Sequence, residues 1–94
     1  MRENQVEKHL VKRVKEEKGL CIKINSTSMN GLPDRMVLLP GGKIVFFELK
    51  STGCTPRPLQ MAAMKRLIDL GFGVFIADNK EKIDAVLAVM RDEI

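Results

Sequence analysis

The chain has 94 residues, of which 45% are hydrophobic and 30% charged, with 7 Gly and 4 Pro. That length suits one domain (residues 1–94) and is short for two, and the composition excludes collagen-like, low-complexity and disordered chains. No apolar run reaches the roughly 18 residues of a membrane span, and the charged start Met1-Arg2-Glu3 does not read as a signal peptide. Two cysteines, Cys21 and Cys54, are too few for a disulfide framework or a zinc quartet, which points to a reducing cytoplasm. Four Phe are the only aromatic residues, so stacking on exposed rings is not expected to dominate any contact with bases. Up to Arg66 the chain carries 13 Lys/Arg against 6 Asp/Glu; from Leu67 onward it carries 3 against 6. A basic front and an acidic back suggest an anionic partner on one side.

In chain order, Val6, Leu10, Val11 and Val14 recur at helical spacing and predict a helix over Arg2–Lys18, closed by a left-handed Gly19. Leu20–Ile24 is a short β-like run, followed by the polar loop Asn25–Gly31. Asp34–Leu39 and Lys43–Lys50 are β-rich runs around Pro40-Gly41-Gly42, a hairpin signal. Pro56 and Pro58 introduce a second helix that runs to Leu70 and stops at Gly71. Gly73–Ala77 reads as a short buried strand, and Asp78 as the cap of a last helix over Asn79–Asp92. The expected fold is α/β: αβββαβα, a mixed four-stranded sheet flanked by helices. Its third and fourth strands should be parallel, because a helix connects them.

The informative residue is Glu48. It stands in the doubly apolar run Ile44-Val45-Phe46-Phe47-Glu48-Leu49-Lys50, which predicts a central strand. A buried carboxylate is costly unless it is paired or binds a cation. Side-chain alternation puts Lys50 on the same face as Glu48. A three-residue Pro40-Gly41-Gly42 loop pairs Leu39 with Lys43 and, counted back along both strands, sets Asp34 opposite Glu48. A two-residue Gly41-Gly42 loop would move Asp34 opposite Leu49, onto the wrong face. Opposed carboxylates with Cβ atoms about 4.5–5.5 Å apart repel unless a positive charge lies between them, and a hard divalent cation is the natural occupant. On a helical wheel Glu7 falls inside the apolar arc of the first helix; Glu3 does too, one turn nearer the terminus.

Gly31-Leu32-Pro33-Asp34, then Glu48-Leu49-Lys50, then Pro58-Leu59-Gln60, all preceded by an acidic helix, resemble the PD-(D/E)XK nuclease superfamily with its restriction-endonuclease-like fold. Within it the pattern is similar to the viral-type replication-repair nuclease domain, VRR-NUC, in its stand-alone phage and bacterial form. The resemblance implies a metal-dependent DNA endonuclease. Asp34, Glu48 and the backbone carbonyl of Leu49 would ligate Mg²⁺ or Mn²⁺, which acidifies water at the site. Lys50 would orient the attacking hydroxide or stabilise the developing negative charge. Glu7 would hold a water on the metal or a second ion, and Gln60 would lie near the scissile phosphate. It also implies branched DNA such as four-way junctions as substrate, a homodimer that brings two sites to two strands, a role in repair, and the cytoplasm of a bacterial or phage-infected cell. No small-molecule cofactor and no membrane partner are expected.

Candidate contacts to the DNA backbone are Lys8, Lys12, Ser26, Thr27, Ser28, Arg35 and Arg57, with Asn30, Lys23, Lys65 and Arg66 as further possibilities. His9 lies on the polar side of the first helix and reads as a solvated histidine. Three other readings stay open: a flap or nicking nuclease of phage DNA metabolism, a basic DNA-binding module without turnover, and a structural or regulatory α/β dimer whose acids are salt-bridge partners of Lys50 and Arg35.

Overall fold

A computed structural model describes residues 1–26 and 28–92. The elements follow as α1 (Glu3–Glu16), β1 (Leu20–Lys23), β2 (Arg35–Leu39), β3 (Lys43–Leu49), α2 (Pro58–Asp69), β4 (Gly73–Ala77) and α3 (Lys80–Asp92). This is the expected αβββαβα order. The strands lie side by side as β1-β2-β3-β4, the first two pairings antiparallel and β3–β4 parallel. The hairpin between β2 and β3 pairs Leu39 with Lys43 and Arg35 with Phe47, the register of a three-residue loop. Gly41 and Gly42 supply its positive φ angles of 87° and 74°, which L side chains rarely adopt.

Alternation along β2 and β3 sorts residues between two layers. Val37, Leu39, Val45, Phe47 and Leu49 point to one face, where they form the core with Val6, Leu10 and Val14 of α1 and Ile83 and Leu87 of α3. Glu48 and Phe46 point to the other face, which α2 covers: Ala63 and Met64 are buried there, and Phe46 meets Phe72 edge-on at 5.6 Å. Position β3 between β2 and β4 and all five residues from Val45 to Leu49 are buried, as a doubly apolar run predicts.

Three local expectations are corrected. The left-handed residue ending α1 is Lys18 (φ 66°), not Gly19. Gly19 answers a different demand, because a Cβ there would sit 2.4 Å from the Leu38 carbonyl oxygen. Asn79, rather than Asp78, caps α3: its Oδ1 accepts the Lys82 N–H at 2.9 Å. Strand β4 lies at the sheet edge and is only partly buried, with Phe75 40% exposed.

The first turns of α1 and α3 come together near the C-terminal end of β3. The Thr52 N–H donates to the Met1 carbonyl, the Thr52 hydroxyl donates to the Asp78 carbonyl at 3.0 Å, and the Gly53 N–H donates to Asp78 Oδ2 at 3.1 Å. These bonds hold the loop that follows Lys50, and the Gly53 N–H is the main reason the Asp78 carboxyl titrates below its usual range. Among the described residues no helix is long and apolar enough to cross a membrane.

Candidate active site

Glu48 is 1% exposed, although a lone carboxylate is among the costliest groups to bury. Its Oε2 accepts from Lys50 Nζ at 3.0 Å and from Gln60 Nε2 at 3.1 Å. Its Oε1 is buried and, among the described residues, has no hydrogen-bond partner. Burial pushes the Glu48 carboxyl above its ordinary value; the Lys50 hydrogen bond opposes that shift and the negative charge of Asp34 adds to it. The site thus holds excess negative charge that one ammonium group leaves incompletely compensated.

Asp34 lies one residue before β2, where the register continues to a place opposite Glu48. The same register carried one step further opposes Leu49 with Pro33, which has no N–H to give the Leu49 carbonyl. The missing ladder bond on the other side is replaced: the Leu49 N–H donates to Asp34 Oδ2 at 2.8 Å. One carboxylate oxygen is therefore spent on positioning. Among the described residues Oδ1 makes no hydrogen bond of its own, and the Leu49 carbonyl lacks a ladder donor from β2.

Gln60 links this cluster to α2. Its Oε1 accepts the Arg57 N–H at 2.9 Å, capping the helix, which orients its Nε2 toward Glu48. The loop carrying Asp34 is pressed against the same helix at Gly31, where φ is +83° and a Cβ would lie 2.6 Å from the Leu59 carbonyl oxygen. Gly31→Ala is therefore expected to lower stability by about 1–3 kcal/mol in a denaturant titration, since strain and backbone overlap act together. Cleavage should fall as well, because relief of the clash moves Asp34.

Oxygen donors of this kind suit a hard divalent ion. Among the described residues there is no group of three or more His, Cys, Asp or Glu able to hold a metal. The available set is two carboxylates and a backbone carbonyl, and Mg²⁺, which keeps several waters, is usually held by one or two carboxylates. The orphaned Glu48 Oε1 is the observation that makes the fit, because a cation there satisfies a buried oxygen that has no hydrogen-bond partner among the described residues.

Not every expected residue joins the cluster. Glu7, expected to hold a water on the metal or a second ion, pairs through Oε2 with Arg35 Nη2 at 3.1 Å, on the face of β2 that α1 covers, which alternation sets opposite to the face of Glu48. Glu3 is exposed at the first helical position. Arg35, an expected contact to DNA, is buried and pairs with Glu7. Lys8, Lys12, Lys23, Ser26, Ser28, Asn30, Arg57, Lys65 and Arg66 are exposed; Ser26 Oγ accepts the Met29 N–H at 3.2 Å, and Lys65 pairs with Asp69. Thr27 lies outside the described residues. His9 is not solvated: its Nε2 sits 2.7 Å from Asp84 Oδ1, which also accepts from Arg13 Nε at 3.1 Å. Sequence reasoning missed the bond from Asp34 to the Leu49 N–H; its signal was Pro33, the residue that cannot complete the ladder.

No family model matches the chain. It is 40% identical over 89 residues to a curated protein named "Putative nuclease p44" of Acyrthosiphon pisum secondary endosymbiont phage 1, an alignment covering 95% of this chain and 96% of that one. Among solved structures, a chain described as a VRR-NUC domain superposes with a TM-score of 0.85 at 30% identity, covering 92% of this chain and 94% of the other. Buried Glu48 beside Lys50, Asp34 opposite them, and this likeness along nearly the full length agree with one another, and the chain belongs to the VRR-NUC family of nucleases.

Proposed function

We propose that the chain is a Mg²⁺- or Mn²⁺-dependent DNA endonuclease that hydrolyses phosphodiester bonds, acts on branched DNA and works as a homodimer. The observation that carries the chemistry is the unpartnered, buried Glu48 Oε1 across the hairpin from Asp34, with Lys50 Nζ 3.0 Å from the companion oxygen. Asp34, Glu48 and the Leu49 carbonyl would hold the ion. When bound, it lowers the pKa of water and offsets charge on a phosphate oxygen. The residues of the chain divide the remaining work. Asp34 is fixed by the Leu49 N–H and Glu48 by Gln60, so both acids are held in place before substrate arrives. Lys50, half-buried and already within reach of Glu48, places one ammonium group where negative charge builds up on the phosphate.

The direct experiment incubates labelled four-way, flap, nicked and linear DNAs with Mg²⁺, Mn²⁺ or a chelator. Metal-dependent cutting of the four-way junction ahead of the others is the expected result. Cutting that persists in chelator, or binding without any cutting, would falsify the reading.

The homodimer is assigned to the apolar surface between α2 and the edge strand β4. Met61, Ile68 and Phe75 are 50%, 53% and 40% exposed there and line one cavity with Val74 and Ile76. Strand β4 leaves one side of its backbone unpaired, and a two-fold axis lets the same edge of a second copy cover it. Met61→Glu with Ile68→Glu should shift the mass measured by light scattering from dimer to monomer. The double variant is expected to stay folded, because both side chains already face solvent.

A further inference from the structure

Beyond the face that carries Glu48, a second cavity runs along the first three turns of α1 beside the start of α3. It measures about 300 Å³ and is lined by Met1, Gln5, Lys8, His9, Lys12 and Lys80. Lys8, Lys12 and Lys80 are exposed, and among the described residues none of them forms an ion pair. Two acids near the hollow, Asp84 and Asp78, are already engaged. Asp84 accepts from Arg13 and faces His9, while Asp78 accepts from Gly53 and pairs with Lys82 at 3.0 Å. Three uncompensated ammonium groups around one hollow repel each other and attract a polyanion. The N-terminal ends of two helices add partial positive charge in the same place.

The cavity is linked to the cleavage site through the chain. Thr52, two residues past Lys50, donates its N–H to the Met1 carbonyl at the rim and its hydroxyl to Asp78, two residues before Lys80. Lys50 and the lysine-lined hollow thus flank one hydrogen-bonded ridge at the C-terminal ends of β3 and β4. We propose that a DNA strand leaving the cleavage site crosses this ridge and seats backbone phosphates in the cavity between α1 and α3. The inference rests on the nuclease reading and extends it: the cavity is a backbone contact outside the cleavage site, on the face of the sheet that α2 does not cover. Phosphate contacts of this type set affinity and register without reading bases.

The test replaces all three lysines, Lys8→Gln, Lys12→Gln and Lys80→Gln, in the full chain. Anisotropy of a labelled duplex in chelator then gives log K against log salt for wild type and variant. The slope should shrink by about 2–3, since each phosphate contact to a duplex contributes about 0.9. With Mg²⁺ present, KM for DNA should rise several-fold while kcat is retained. A control variant neutralising Lys23, Lys65 and Arg66 should change the slope by less than half as much. An unchanged slope in the cavity variant, or an equal loss in the control, overturns the proposal. The slope comparison needs no cleavage, so a wild-type protein that binds DNA but never cuts it would count against the nuclease reading alone.

Discussion

Asp34→Asn and Lys50→Ala should each reduce DNA cleavage by at least about a hundredfold, the scale on which removing one preorganised electrostatic group acts. Asparagine keeps an oxygen that accepts the Leu49 N–H, so the end of the hairpin stays in register while one negative charge is lost from the site. Lys50→Ala removes the ammonium 3.0 Å from Glu48 but leaves Gln60 holding the same carboxylate. Both variants should therefore unfold cooperatively and bind DNA in chelator about as the wild type does. Single-turnover cleavage of a labelled junction with Mg²⁺ reads the loss, and anisotropy reads the binding. Undiminished cutting by either variant contradicts the assignment. A parallel collapse of folding would instead place these residues in the scaffold.

Glu48→Gln tests the same site through stability. The folded protein holds the Glu48 carboxyl above its ordinary value of 4.5 because the group is buried, so the native state binds its proton more tightly than the unfolded chain does. Stability linked to this group is then fully present below the unfolded value and is lost as pH rises through the folded one. In chelator, the melting temperature of Glu48→Gln should therefore gain on that of wild type as pH climbs from about 4.5 toward neutrality. Divalent metal should reverse the order. An ion at about a hundred times its Kd stabilises by about 2.7 kcal/mol, which for a domain of this size means a Tm rise on the order of 10 °C. Wild type should show that rise with Mg²⁺ or Mn²⁺ at neutral pH, and Glu48→Gln should show little of it. Equal metal responses in the two proteins would remove Glu48 from the ligand set.

Near-neighbour chemistry decided much of the fold in advance. Pro40-Gly41-Gly42 sets a three-residue loop, and the loop sets a register that places Asp34 opposite Glu48. The run from Ile44 to Leu49 marks β3 as central, since only a strand covered on both faces has use for apolar side chains on both. The helix between β3 and β4 makes that pair parallel. The first two inferences depend on alternation and turn geometry within a single hairpin, and the third on one helical crossover between neighbouring strands.

Contacts between distant elements were a different matter. The period of α1 correctly turned Glu7 toward the sheet but could not say which face of the sheet α1 would cover. That choice delivered Glu7 to Arg35, on the face opposite to Glu48. His9 meets Asp84, 75 residues later, only because α1 and α3 pack side by side on one face. The sequence by itself determined the strand register and the pairing of Asp34 with Glu48 and Lys50, because adjacent strands joined by a short turn have almost no freedom in how they align. Only the tertiary structure decided that Gln60 of α2 donates to the Glu48 carboxylate while Glu7 of α1 meets Arg35 on the other face, since layers are stacked by burial of apolar area, and burial has no preferred direction until the chain has chosen a side.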